Sequence, residues 1–321
     1  NQYDTRVDIG KSVFEIVQLA RNFNEMAANI ETDIIHRTSI EQELTDEKRK
    51  TEDVHNTIRD SILADSLIQQ ALIPRSESLA AFFKEQMYIW KPKDVVGGDI
   101  YLFTTLRNET ESLLLVIDCT GHGVPGAFLT MLIKAIYQQL VTNLKHRLGD
   151  VSTAKLLAEF NVMLKHLLRQ EDIVSGQRIP RNMPHDVGFD GAIVYCDQER
   201  NLVRFSGAHT PLFYMNDSDL TVIKGDRQSI GYRSSKTSFE YTEHDIISTP
   251  FTTFYLTTDG YLDQSGGEKG FPFGKKRFEQ MLKAQTHQTL AAQKKTFLQA
   301  LQTHQKQEAQ TDDITVFAFR L

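Results

Sequence analysis

Between Val7 and Ile73 the chain contains one glycine, Gly10, and no proline; the first proline of the sequence is Pro74. A stretch that long, rich in Glu, Lys, Gln and Leu, has few alternatives to helix. Apolar residues recur three or four apart at Val13, Ile16, Leu19, Phe23, Met26, Ile30 and Ile34, then less regularly at Ile40, Leu44, Val54, Ile58, Ile62, Leu67 and Leu72. The result is a narrow apolar seam on polar helices. Such a seam cannot build a core alone. It must pair with a second copy of itself, giving a parallel homodimer, or fold back on the domain that follows; the imperfect heptads between Thr45 and Glu52 keep the second option open.

After Pro74 the pattern changes to short β-rich runs separated by Gly, Asn and Asp, which sets a boundary between a helical linker, residues 1–74, and a second domain, residues 75–321. Strands are predicted at Met87–Trp90, Asp99–Thr104, Leu113–Asp118, Gly191–Cys196, Leu202–Ser206, Leu212–Met215, Leu220–Ile223, Phe254–Thr258 and Ile314–Phe319. Helical periodicity returns at Gly126–His146, Ser152–Arg169, Lys275–Ala284 and Leu290–Gln305. Strands and helices are grouped, not alternating, which predicts an α+β domain with helices outside packed antiparallel sheets. Gln170–Phe189, with Gly176, Pro180 and Pro184, reads as a long loop beside something functional.

With 321 residues, 40% of them hydrophobic, the chain can bury one large core or two modest ones, and disorder is not its default reading. Residues 1–74 hold 8 of the 36 Lys and Arg but 14 of the 42 Asp and Glu, leaving 28 of each in the rest, so all the excess acidity belongs to the helical segment. No basic stripe appears, which argues against nucleic acid as a partner. No apolar stretch approaches membrane-spanning length either. Cys119 and Cys196 are too few and too separated for a disulfide framework or a thiolate metal site, and a reducing compartment is expected.

Chemistry concentrates in four aspartates, each at the end of a predicted strand: Asp99 in Val-Val-Gly-Gly-Asp, Asp118 in Val-Ile-Asp-Cys-Thr-Gly, Asp259 in Thr-Thr-Asp-Gly, and Asp312 in Thr-Asp-Asp-Ile-Thr-Val. Each taken singly is ordinary turn chemistry. Carboxylates gathered at one rim of a sheet would repel one another unless cations neutralised them, and an oxygen-only ligand set suits magnesium or manganese. Spacing alone does not show that the four meet. Ser206 and His209 are near in sequence but form no persuasive nucleophile–base pair.

These segments, together with Gly-His-Gly-Val-Pro-Gly-Ala after Thr120, Ser206-Gly-Ala-His-Thr-Pro-Leu and Gly225-Asp-Arg-Gln-Ser-Ile-Gly, resemble the SpoIIE/RsbU branch of the type 2C metal-dependent serine/threonine protein phosphatases over roughly residues 67–321. The resemblance implies a two-layer antiparallel β-sandwich flanked by helices (α-β-β-α) and two or more Mg²⁺ or Mn²⁺ ions. It implies that Asp118 bridges the ions, the Cys119 carbonyl binds one, Asp259 and Asp312 complete the other's shell, and Asp99 acts directly or through water, with Asp313 the lesser partner of the acidic pair. His122 is then a candidate catalytic residue that protonates the leaving serine or threonine oxygen, or else a support of its loop. Arg178, Arg181 and Arg227 are candidates for gripping phosphate, with exposed loop positions as the plainer reading. The implied substrate is a phosphorylated STAS-domain protein in a partner-switching circuit. A noncatalytic phosphoprotein-binding module is the rival from another class.

Asp8-Ile-Gly followed by Leu19-Ala-Arg-Asn-Phe-Asn-Glu-Met-Ala resembles the second helix of a HAMP signalling domain. The sequence opens at Asn1 without a leader-like segment, and the expectation is that an upstream part with membrane helices and a sensor precedes it, leaving this cytoplasmic region attached to a bacterial inner membrane only through that part.

Overall fold

Leu113, Leu114, Leu115, Val116 and Ile117 are consecutive, and none is more than 1% exposed. A strand buried on both faces has to be covered on both faces, which requires a stack of layers and not a sheet facing water. The protein's structure, a computed structural model, supplies that stack; it describes residues 14–107, 109–146, 149–170 and 186–321.

In chain order the elements are α1 (Phe14–Leu72), α2 (Ser76–Phe82), β1 (Glu85–Lys91), β2 (Asp99–Thr105), β3 (Glu111–Cys119), α3 (Gly123–His146), α4 (Thr153–Leu168), β4 (Phe189–Asp197), β5 (Leu202–Ala208), β6 (Leu212–Asn216), β7 (Asp219–Ile223), β8 (His244–Ile247), β9 (Thr253–Thr257), α5 (Asp259–Asp263), β10 (Ser265–Gly266), β11 (Phe271–Pro272), α6 (Lys275–Ala284), α7 (Leu290–Gln305) and β12 (Ile314–Arg320). One five-stranded sheet runs β2-β3-β4-β5-β8, another β1-β12-β9-β6-β7, and β10-β11 is a small hairpin. Every ladder is antiparallel.

Strand alternation sorts the side chains into three cores. On β2, Tyr101 and Phe103 face the other sheet and meet Phe254, Phe317 and Phe319 between the layers, with Phe82 and Phe83 closing one side. Their neighbours Ile100 and Leu102 face outward and are covered by Ile133, Ile136 and Tyr137 of α3 and by Leu157, Phe160 and Leu164 of α4. The outer face of the second sheet, with Met87, Ile89, Tyr255 and Val316, is covered by Phe278 and Leu282 of α6 and Phe297 and Leu301 of α7. The layers are therefore α-β-β-α. Ser152 caps α4, its side chain accepting from the Lys155 amide, and Arg169 closes it in the left-handed region at φ 53°.

All nine predicted strands and the four predicted helices of this domain are present, with ends shifted by a few residues. The β8 edge strand and the short helices α2 and α5 have too few residues to carry a period, and the sequence did not mark them. The loop prediction at 170–189 falls mostly on 171–185, outside the described residues. One expectation is corrected: α3 is long and apolar enough to cross a membrane by length and composition, its apolar residues being interspersed with polar ones. Its apolar side lies on the sheet as a core helix.

The chain divides into two compact units between Ser61 and Ile62. The first holds the part of α1 through Ser61, on which Phe14, Leu19, Phe23, Met26, Ile34 and Leu44 are exposed. The second begins with the last turns of α1, where Gln69 is 1% exposed.

Candidate active site

Antiparallel pairing puts the start of one strand beside the end of its neighbour. Asp99 opens β2, Asp118 stands next to last on β3, and Asp190 is second on β4; the register pairs Asp99 with Asp118 and Asp118 with Asp190. Residues directly opposite share a face. Two rungs further along, Tyr101, Val116 and Ala192 occupy that same face and point between the sheets. The three aspartates are thus the last rung of the sandwich interior, at the mouth between its layers.

The second sheet brings its own acids to this mouth. Asp259 follows the end of β9, where Thr258 turns the chain into α5, and Asp312 precedes β12, which pairs with β9. Gly260 has no room for a side chain, since a Cβ there would lie 1.9 Å from the Asp313 carbonyl oxygen. That contact explains the Thr-Thr-Asp-Gly spelling: glycine lets the Asp259 turn press against the acidic pair. Gly98 does the same on the other side, where a Cβ would meet the carbonyls of Gly121 at 2.4 Å and Cys119 at 3.0 Å.

Burial and mutual repulsion push these carboxyls toward their protonated forms. Asp99, 1% exposed, is raised well above the carboxylate range chiefly by burial, against the pull of hydrogen bonds from Thr258 and Thr315. Thr258 Oγ1 donates to Asp99 Oδ2 at 2.6 Å. Asp118 is also pushed far up, first by burial, then by the charges of Asp99, Asp259 and Asp312. Asp118 and Asp259 are close enough to shift one another, raising Asp118 and lowering Asp259. Asp259 itself is raised by burial and by Asp312. Asp190 is raised by burial, opposed by a hydrogen bond from Ser229 and by the nearby His209, and its Oδ1 is buried without a hydrogen-bond partner.

The Asp312–Asp313 pair divides its work. Asp313 is 3% exposed and accepts the backbone amides of Lys93 at 2.7 Å and Gly98 at 2.5 Å. Asp312 is exposed, and its Oδ1 accepts the neighbouring Asp313 amide at 2.8 Å. At Cys119 burial raises the thiol further from ionisation, so sulfur is unsuited to metal binding and the carbonyl is the available donor. Among the described residues no three side chains stand as a finished cage for an ion. The donor set nevertheless suits one: several hard oxygen donors whose ionisation is suppressed by one another, with an unpaired buried oxygen on Asp190, are relieved by a divalent cation.

His122 closes a different bridge. Its Nδ1 lies 2.7 Å from Asp94 Oδ2 and its Nε2 3.1 Å from Lys93 Nζ, which links the loop before β2 to the loop after β3. Across the mouth, the Tyr232 hydroxyl is hydrogen-bonded to Thr120 Oγ1. Lys165 Nζ holds that loop from below by the carbonyls of Tyr232 at 2.9 Å and Arg233 at 3.2 Å.

Of the residues marked by sequence, Asp99, Asp118, Cys119, Asp259 and Asp312 come together, and His122 stands on the flanking loop. Ser206 and His209 separate: Ser206 bonds Thr153 at 2.8 Å, while His209 is exposed in the left-handed region at φ 56°. Arg227 lies exposed on the loop between β7 and β8, and Arg178 and Arg181 are outside the described residues. Sequence reasoning missed Asp190, Lys93, Asp94 and Tyr232. A signal existed for Asp190, since Asp190-Gly191 repeats the Asp-Gly setting of Asp259-Gly260 at a strand end.

The profile of the family described as Stage II sporulation protein E (SpoIIE) matches residues 108–321. Among solved structures, the PP2C domain of SiaA from Pseudomonas aeruginosa is 33% identical, with a TM-score of 0.70 over 84% of this chain and 98% of that one. The phosphatase domain of SpoIIE with a fragment of its regulatory domain, from Bacillus subtilis, is 14% identical with a TM-score of 0.54 over 74% of this chain and 63% of that one. The RsbU and RsbW domains of a Mycobacterium tuberculosis protein give 14%, 0.53, 74% and 59%. These two share the fold. A comparison with curated sequences returned no significant match.

Proposed function

Because the chain belongs to the SpoIIE family of PP2C-type serine/threonine phosphatases, we propose that it removes phosphate from a phosphorylated STAS-domain protein in a partner-switching circuit, with Asp118 at the centre of a two-metal site. The observation that carries this reading is the convergence of Asp99, Asp118, Asp190, Asp259 and Asp312 on one mouth of the sandwich. Mg²⁺ or Mn²⁺ bound there supplies Lewis acidity, lowering the pKa of water and neutralising charge on the phosphoryl oxygens.

The protein's own part is positioning. Asp118, with acidic neighbours on both adjoining strands, would hold metal at the centre of the site. Asp259 and Asp312, with the Cys119 carbonyl and Asp99, would complete their shells. Thr258, donating to Asp99, and Thr120, tied to Tyr232, fix the turns that carry the donors. No side-chain nucleophile is required, in keeping with the separation of Ser206 from His209.

The test is phosphate release from a phosphoserine STAS protein and from p-nitrophenyl phosphate with Mn²⁺ or Mg²⁺. The unmodified chain is expected to turn over, and Asp118→Ala and Asp312→Ala each to lose at least about 100-fold, on the scale of losing a charge-stabilising group in a reaction site. An unmodified chain that binds the phosphoprotein but is inert with either ion would put the noncatalytic module in its place.

A further inference from the structure

A ring of carboxylates repels a phosphoryl dianion as well as each other, so a phosphatase site of this kind gains from a cation at its rim that recognises phosphate oxygens. The arginines suggested by sequence do not supply it among the described residues. Lys93 is placed differently. Its backbone amide is bound to Asp313, its side chain is half-buried, and its ammonium reaches across to His122 on the loop that follows Asp118 and Cys119.

An ammonium can only donate, so His122 Nε2 accepts from Lys93, and the ring proton sits on Nδ1, directed at Asp94 Oδ2. This tautomer leaves no proton on Nε2 for a leaving group while Lys93 is bound to it. A Cβ on Gly123 would lie 3.3 Å from Asp94 Oδ2, so the carboxylate is seated against the start of α3 and the ring is held from behind. The proton donors left to the bridge are those of the Lys93 ammonium, which has three and gives one to His122.

We propose that Lys93 is the phosphate-binding cation of the site, taking a phosphoryl oxygen of the substrate, and that His122 and Asp94 are positioning residues that hold its ammonium across the mouth. The proposal rests on the phosphatase reading above. No bond is made or broken by the bridge; it contributes charge-assisted hydrogen bonds to the phosphoryl group in the bound and transition states alike.

The experiment uses the full chain with Mn²⁺ and measures equilibrium binding of inorganic phosphate by calorimetry, together with kcat and KM for p-nitrophenyl phosphate and a phosphoserine peptide. Lys93→Met is expected to weaken phosphate binding about tenfold or more, as the loss of one charge-assisted hydrogen bond does, with Mn²⁺ affinity unchanged. Lys93→Arg is expected to retain most of it. Asp94→Asn should weaken phosphate binding by a smaller factor, and should add nothing once Lys93→Met is present, because it acts through Lys93. Phosphate bound by Lys93→Met within twofold of the unmodified chain overturns the proposal. So does His122→Ala that leaves phosphate affinity intact but slows the phosphoserine peptide far more than p-nitrophenyl phosphate, because that pattern marks a leaving-group acid. If the unmodified chain neither binds Mn²⁺ nor releases phosphate, the phosphatase reading itself fails and the proposal with it; turnover with an unaffected Lys93→Met removes the bridge alone.

Discussion

Asp118 stands in register between Asp99 and Asp190, and no chain places three acids on adjacent strands of a buried face without a cost. The sign of that cost can be worked out. Asp99, Asp118, Asp190 and Asp259 are all raised in the folded protein, mainly by burial. Below about pH 4, the ordinary carboxylate value, folded and unfolded chains are equally protonated and there is no penalty. As pH rises from there toward the raised folded values, the unfolded chain releases protons the folded one retains, and stability falls. In chelator, the melting temperature is therefore expected to drop between pH 5 and pH 8. Asp118→Asn should flatten that drop and raise the pH 8 value by a few degrees, about 1 kcal/mol or more, while abolishing stabilisation by Mn²⁺. A melting temperature equal at both pH values in the unmodified chain would show that the carboxyls do not repel as placed. At this scale the sequence was legible where an acid stood at one end of a predicted strand, as at Asp99, Asp118, Asp259 and Asp312. Asp190 escaped because the predicted strand began one residue later, at Gly191. Lys93 and Asp94 escaped because charged loop residues carry no period, and their partner His122 is 28 residues or more away.

Among the elements, strands were the most readable, since their buried faces force apolar alternation or continuous apolar runs. What sequence could not give was the order β1-β12-β9-β6-β7, which joins strands far apart in the chain and decides that Asp259 and Asp312 meet the Asp118 sheet. The end of α1 shows the same gap. The helix reads as polar with an apolar seam, yet its important residue in the second unit is polar: Gln69 Nε2 donates to the Gly97 carbonyl at 2.6 Å and Thr130 Oγ1 at 3.2 Å, and Gln69 Oε1 accepts the Gly97 amide at 3.1 Å. This amide pairs with backbone as a neighbouring strand would. Gly97 and Gly98 lead into Asp99, and Gly98 shares Asp313 with Lys93. Gln69→Ala leaves the buried Gly97 amide and carbonyl without these partners and is expected to cost about 1–3 kcal/mol. Because the slackened segment carries Asp99, Mn²⁺ affinity should fall several-fold as well. Chemical denaturation and a Mn²⁺ titration of the same variant separate the two effects, and an unchanged metal affinity would confine Gln69 to a structural role.

For the whole molecule, the open matter is what covers the seam of the first unit. Ile16, Leu19, Phe23 and Met26 are exposed on a helix otherwise rich in charged and polar residues, and such a row of apolar side chains at three- and four-residue spacing is the surface that a second helix of the same kind covers. We take the second copy of this chain as its cover, in a parallel homodimer. Light scattering is then expected to give twice the 36.7 kDa chain mass. Phe23→Glu with Ile34→Glu should shift it to the monomer, because each places a charge against its own symmetry mate in an apolar seam. If pairing also governs the loops that carry Asp99 and Asp259, this double variant will lose Mn²⁺ affinity and turnover although both substitutions lie in the first unit and every carboxylate in the second. A monomer with unchanged metal affinity and turnover would leave pairing as an assembly device only. A chain already monomeric before substitution would return the seam to the rival reading, in which it folds back on its own domain.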